Sequence, residues 1–209
     1  MRNLTKKKKF RYRIAVKKLH CSVSKFLSVI HISALFMALT KETILQVLAP
    51  ICGTVEVVEY RGETTFMIDK GDIVEAAHEL QTNPRTKFEM LIDITAVDYF
   101  RRKNRFETVY VLFALESATR IVLKVALDDY DEPHCPTLTG VYEAANWYER
   151  ETYDMYGIIF DGHPDLRRFY MPEDFVDPDT AEPLYPLRKD FPLMGIPGSL
   201  PLPEKSPQY

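Results

Sequence analysis

The chain has 209 residues, 46% of them apolar, with 27 Lys and Arg against 30 Asp and Glu for a net charge of −3. This is the size and texture of one globular domain that can bury a core unaided, with appendages. The charge is uneven: ten of the basic residues and no acid fall in residues 1–36, leaving 17 basic against 30 acidic over residues 37–209, a net of −13. A domain that acidic is excluded as a nucleic-acid binder, because phosphate contacts need clustered cations.

The basic head, residues 1–36, reads in three ways: a mitochondrial presequence, a secretory signal with the apolar run 26–39 behind its charges, or no structural part of the protein at all. Met37 stands just before the domain pattern begins, where translation would start on the third reading. The apolar run is too short for a membrane span, which needs about 20 residues.

Thr40 is predicted to cap a short helix with Ile44, Leu45 and Leu48 on one side, ended by Pro50. Residues 54–60 and 64–69 read as a hairpin around Arg61-Gly62-Glu63. A second helix over 71–81 carries Ile73, Ala77 and Leu80 at helical spacing and stops before Asn83-Pro84. Three strands follow over 88–98, 105–115 and 119–127, with the basic stretch 100–105 as the loop between the first two. The order αββαβββα predicts an α+β domain over 37–171, with a mostly antiparallel sheet and helices packed on one face.

A last helix is expected over 140–156, capped by Thr139 or Thr137, with Gly157 where a helix end takes a left-handed residue. Val141, Ala145, Tyr148, Thr152 and Met155 make its expected buried face. Glu151 and Asp154 fall on other faces, and Arg150 stands four residues before Asp154, close enough to pair. An exposed pair of that kind is worth about 0.3–0.5 kcal/mol, so these charges are not there mainly to hold the helix. An apolar run (158–160), a tight turn (161–164) and the adjacent Arg167 and Arg168 follow. So many fixed charges in a short span define either an active site or a polar lock between subunits.

The spacing of Glu149, Arg150, Glu151, Asp154, Gly157, His163, Pro164, Asp165, Leu166, Arg167 and Arg168 is one block. A second, in the same order, is Pro186, Leu187, Arg188, Lys189, Asp190, Phe191 and Pro192, ending at Leu193. Together they resemble the signature of the 30-kDa subunit of respiratory complex I, the proton-pumping NADH:quinone oxidoreductase. The resemblance covers roughly residues 40–193; the stretch 176–183 is longer than the connector usual in that family. It implies a non-catalytic structural subunit of the peripheral arm that supports the quinone-reducing module. No cofactor is then expected in this chain, since the iron–sulfur clusters, FMN and quinone belong to other subunits. The implied partners are the 49-kDa subunit and neighbouring iron–sulfur subunits, with peripheral membrane association through the complex. The implied location is the cytoplasmic side of a bacterial membrane, favoured by the lysine run of the head, or the matrix side of the mitochondrial inner membrane.

From Pro172 onward proline recurs nine times among the chain's fourteen, which predicts an extended arm over 172–209. Phe169, Tyr170, Phe175, Tyr185, Leu187, Phe191 and Leu193 need cover. A partner protein would supply it, as the resemblance implies; the alternative is that the arm wraps its own domain.

Other chemistries are poorly provided for. Cys21, Cys52 and Cys135 are scattered without a Cys-x-x-Cys pair, which excludes a recognisable zinc or iron–sulfur ligand set. No glycine-rich phosphate loop occurs, so neither NADH nor flavin is expected to bind. His134-Cys135 lies in an expected loop and makes a poor nucleophile. The enzymatic rival is a metal-dependent hydrolase using Asp161, His163 and Asp165 near Glu151, opposed by Arg167 and Arg168 as like charges to any divalent cation. A turn histidine bonded to a backbone carbonyl is the simpler reading of His163. A generic adaptor protein is the remaining alternative.

Overall fold

The computed structural model of the chain describes residues 10–11, 39–100 and 103–192. Most of the basic head with Cys21 and Met37, and the tail from Leu193 onward, lie outside the described residues.

A six-stranded sheet is ordered β1-β2-β3-β6-β5-β4. Its strands are β1 (Phe10–Arg11), β2 (Glu56–Tyr60), β3 (Glu63–Met67), β4 (Met90–Asp98), β5 (Phe106–Ala114) and β6 (Thr119–Leu127). Every pairing is antiparallel except β3 with β6, so the mixed α+β class with a mostly antiparallel sheet is what the chain adopts. In β5 and β6 buried residues alternate with half-buried ones along most of the length, because successive side chains point to opposite faces. The β2–β3 hairpin turns on Arg61 and Gly62, both at positive φ (51° and 82°). Such a two-residue turn matches the twist of the flanking strands.

Helix α1 (Lys41–Cys52) is capped as expected, the Thr40 hydroxyl accepting from the Thr43 N–H. It does not end at Pro50, which lies inside the last turn; Gly53 closes the helix at φ 62°. A proline this near the end forfeits one backbone hydrogen bond and still lets the helix finish. Helix α2 (Ile73–Thr82) packs on α1 and buries Ile73, Ala76, Ala77 and Leu80. The final helix, α3 (Ala145–Tyr156), packs along β4. The Thr152 hydroxyl bonds the Ile94 carbonyl of β4 (3.0 Å), and just ahead of the helix the Tyr142 hydroxyl bonds the Phe88 carbonyl (2.7 Å).

Two expectations for this region need correction. α3 begins at Ala145, not at 140, and Ala144 occupies the cap position. Neither Thr139 nor Thr137 caps it: their hydroxyls are bonded to each other and that of Thr137 to the Glu149 carboxylate, and residues 138–142 form a separate turn with the Val141 and Tyr142 N–H groups on the Leu138 carbonyl. The stretch holding His134 and Cys135 is not a loop but β7 (His134–Pro136), paired in parallel with β8 (Ile159–Asp161).

Candidate functional site

The charged block of α3 is folded inward. Of the expected buried face Ala145 and Thr152 are buried and Val141, Tyr148 and Met155 are half-buried, while three charged residues outside that face, Glu149, Arg150 and Asp154, are buried as well. The Arg150–Asp154 pair does not form. Asp154, fully buried, instead accepts from the Arg168 guanidinium (3.0 Å) and from the backbone N–H groups of Phe169, Tyr170 and Met171 (3.1, 2.6 and 2.8 Å). Arg168 adds bonds to the Leu184 and Phe175 carbonyls. One carboxylate thus fixes the path of 168–171 and, through Arg168, the chain on either side of the 176–183 stretch. Burial pushes the Asp154 carboxyl up, but its three backbone donors and Arg168 outweigh this and hold it below the ordinary carboxylate range.

Arg150 serves the same loop without a carboxylate. Its guanidinium donates to the Arg167 and Arg168 carbonyls and lies 5.0 and 5.4 Å from the ring centres of Trp147 and Phe169. His163 donates from Nε2 to the Asn146 carbonyl (3.1 Å) and accepts at Nδ1 from the Asp165 N–H (3.0 Å). Both ring nitrogens are therefore used in one neutral tautomer, as the turn-histidine reading requires. Asp161 is bonded to His134 and Asp165 pairs with Arg167 at the surface, so the three proposed hydrolase residues do not converge. Leu166 packs against the core, and Pro164 follows Gly162 in the turn.

The second block docks on the end of α3. Gly157 caps the helix at φ 72°, its N–H bonded to the Tyr153 carbonyl. A Cβ there would meet Arg188 Nη2 and the Tyr185 ring at 2.6 Å. Among the described residues Arg188 makes no carboxylate pair: it donates to the Tyr156 carbonyl and lies over the rings of Tyr185 (4.5 Å) and Phe106 (5.1 Å). The Leu187 N–H bonds to the Met155 carbonyl, after Pro186. Phe175 and Phe191 stack at 6.2 Å, before Pro192. From 172 to Pro192 the segment therefore lies on its own domain, with Val176 and Pro183 bridged across the 176–183 stretch, while Leu187 stays half exposed. Gly157→Ala should cost about 1–2 kcal/mol for the left-handed backbone alone, and displacement of Tyr185 and Arg188 should speed limited proteolysis within 172–192. Unchanged proteolysis would mean that this contact does not hold the segment.

Sequence reasoning missed the partner of this block. Asp98 and Arg105 face each other from the ends of the β4–β5 hairpin, 0% and 3% exposed, with two bonds of 3.0 and 2.9 Å. Arg105 also pairs with Asp190 at 2.7 Å, and Asp98 accepts from the Lys189 and Phe100 N–H groups. Arg105 is thus a buried clamp on the second block, not part of a solvated basic loop. A signal was present: Asp98 follows Ile94 and Ala96 on the inward face of its strand, where an unpartnered acid would be costly. Burial pushes the Asp98 carboxyl up, but Arg105 and the two N–H donors outweigh it and hold it low.

Glu149 is the exception, making no ion pair among the described residues. Fully buried, it accepts from the Thr137 hydroxyl and the Leu138 N–H (2.7 Å), and burial pushes its carboxyl up to about 7 against those bonds. A raised folded pKa contributes stability that is whole below the unfolded value near 4.5 and is lost as pH rises through about 7. Asp98 and Asp154 act oppositely, stabilising above about 3.8 and failing as pH drops through their lowered values. Wild-type melting temperature should therefore fall between pH 5 and 8, and Glu149→Gln should flatten that slope, which spans up to about 3 kcal/mol. A slope unchanged in the variant would assign it elsewhere. Cys135, also buried, bonds the Tyr110 hydroxyl through Sγ (3.1 Å), and burial raises its thiol pKa, the reverse of an activated nucleophile.

The site is therefore an internal charge lock in an α+β domain, closing a C-terminal segment over one helix end. Residues 66–197 match the family described as respiratory-chain NADH dehydrogenase, 30 Kd subunit. The chain belongs to that family. It is 46% identical over 134 residues to the second NADH-quinone oxidoreductase C subunit of Rhizobium meliloti, covering 64% of this chain and 69% of the relative. It is 40% identical over 178 residues to the NADH-quinone oxidoreductase C subunit of Nocardioides sp., covering 82% of this chain and 66% of that one. The matched stretch thus spans about two thirds of these relatives. Among solved structures, the trypsin-resistant fragment (1–134) of Nqo5 is similar at TM-score 0.51 and 31% identity, over 60% of this chain and 98% of that one. A chain of the membrane-bound sulfane sulfur reductase, an archaeal respiratory membrane complex, is similar at TM-score 0.55 and 28% identity, over 73% and 84%. Among the described residues, no helix is long and apolar enough to cross a membrane, and no three His, Cys, Asp or Glu side chains are grouped to hold a metal.

Proposed function

We propose that this chain is a non-catalytic structural subunit of the peripheral arm of an NADH:quinone oxidoreductase, docked beside the protein that forms the quinone cavity. The observation that carries this reading is the internal bonding of five signature residues together with the Asp98–Arg105 pair that meets the second block. Asp154, Arg168, Arg150, His163, Arg188, Asp98 and Arg105 are bonded to one another or to backbone, and none is left as a nucleophile or base in a cleft. A similar chain also occurs in a sulfane sulfur reductase complex. One scaffold accompanying two chemistries fits a positional role better than a catalytic one. In this reading the iron–sulfur clusters, FMN and quinone sit in other subunits, the 49-kDa subunit and its iron–sulfur neighbours are the partners, and the assembly holds the chain at the cytoplasmic face of the membrane.

Arg188→Glu tests it. The reversed charge would sit against the Tyr156 carbonyl and between two aromatic rings, and the second block would leave the helix end. Assembled complex on native gels and quinone reductase activity should fall together, each about tenfold or more, as expected when a buried anchor is lost. Normal assembly with activity alone lost would mean a catalytic role.

A further inference from the structure

Outward from the lock, α3 carries a surface that its internal bonds leave unused. Trp147, 55% exposed, touches Phe169 with ring centres 5.4 Å apart, and Phe169 touches Tyr170 at 4.5 Å; these last two are 41% and 58% exposed. Adjoining exposed aromatics mark a surface that meets another molecule more often than one that meets water. The rings are also held in place. Arg150 lies beneath Trp147 and Phe169, anchored to two carbonyls, and Asp154 holds the Phe169 and Tyr170 N–H groups. A platform fixed beforehand loses little side-chain freedom on binding.

Glu151 stands one turn beyond Trp147 on the same face. Beside it is Asp93 of β4, the edge strand of the sheet. Neither carboxylate makes an ion pair among the described residues. Partial burial and the neighbouring charge of Asp93 both push the Glu151 carboxyl up. Two like charges held together at the margin of an apolar platform are relieved by a cation brought from outside.

We propose that Trp147, Phe169 and Tyr170, with Glu151 and Asp93 at the rim, form the docking site for a segment of a different protein chain. That segment places an apolar side chain on the rings and an arginine or lysine between the two carboxylates. This rests on the assembly reading above and names the chemistry of one contact within it. Charge selects the occupant. A second copy of this chain would bring a body of net −13 outside its basic head. Residues 193–209 of the same chain offer only Lys205, next to Glu204, and residues 10–11 of the basic head pair with β2 at the sheet edge opposite β4.

The test places the photo-reactive residue p-benzoylphenylalanine at position 147 of the full tagged chain in its native membranes. The assembly is isolated after irradiation and cross-linked peptides are sequenced. A cross-link to another subunit, at a segment with an arginine or lysine within a few residues, is expected. Trp147→Ala and Glu151→Lys should each lower the incorporated fraction about tenfold, and the isolated Glu151→Lys chain should melt as wild type. A cross-link only to another part of the same chain or to a second copy, no cross-link in an otherwise intact assembly, or normal incorporation of both variants would overturn the proposal. Should the wild-type chain be recovered in no assembly, the subunit reading itself fails, and this contact with it.

Discussion

Asp154→Asn is expected to destabilise the domain by about 3–5 kcal/mol, the cost of stranding one member of a buried ion pair. The loss is large because Asp154 does several things at once. Its charge balances Arg168, which is only 9% exposed, and its oxygens take three consecutive backbone N–H groups. Asparagine keeps one acceptor oxygen, offers an N–H₂ that cannot accept, and leaves the guanidinium without a counter-charge. Urea denaturation gives the magnitude, and amide exchange at Phe169, Tyr170 and Met171 should rise ahead of global unfolding. Arg168→Gln should cost less, because three of the Asp154 bonds survive it. A loss below about 1 kcal/mol in Asp154→Asn would place this carboxylate in ordinary surface chemistry and remove the lock.

Arg105→Ala is expected to cost a similar amount, about 3–5 kcal/mol, for a different set of contacts. The truncation leaves Asp98 ionised in a site with no exposure of its side chain. It also removes a guanidinium lying 4.7–5.5 Å from the ring centres of Phe106, Tyr130 and Phe100. Asp190→Asn is the informative contrast. Its side chain is 46% exposed, so screening by solvent limits the loss to about 1 kcal/mol or less. A double-mutant cycle between positions 98 and 105 should show strong coupling, and one between 105 and 190 weak coupling. Equal losses for Arg105→Ala and Asp190→Asn would contradict the burial that separates them.

Much of the fold is legible in the sequence because its elements obey simple periods. β5 and β6 are runs rich in β-branched and aromatic residues, α2 keeps one apolar stripe, and Arg61-Gly62 is a hairpin turn written in two residues. What is not legible follows from charge in the interior. Glu149, Arg150 and Asp154 occupy inward positions of α3, so the apolar stripe expected there is diluted and the pattern puts the helix start five residues early. Local spacing offers Arg150 as the partner of Asp154, yet the real partner, Arg168, arrives across a strand and a turn. Asp98 and Arg105 are hidden for a related reason: each looks like a polar residue at a strand end, and beyond the inward register of Asp98 it takes the tertiary approach of Lys189 and Asp190 to show that both are enclosed. The two blocks 149–168 and 186–192 can be seen as a pair in the sequence; that they meet each other at Gly157, through Tyr185 and Arg188, cannot.

The most direct test of the subunit assignment is recovery of the tagged chain from gently solubilised native membranes, with mass spectrometry of what accompanies it. A structural subunit should emerge in a large assembly together with iron–sulfur and quinone-site subunits, in constant proportion across the elution peak. A lone protein of about 24 kDa would contradict the assignment.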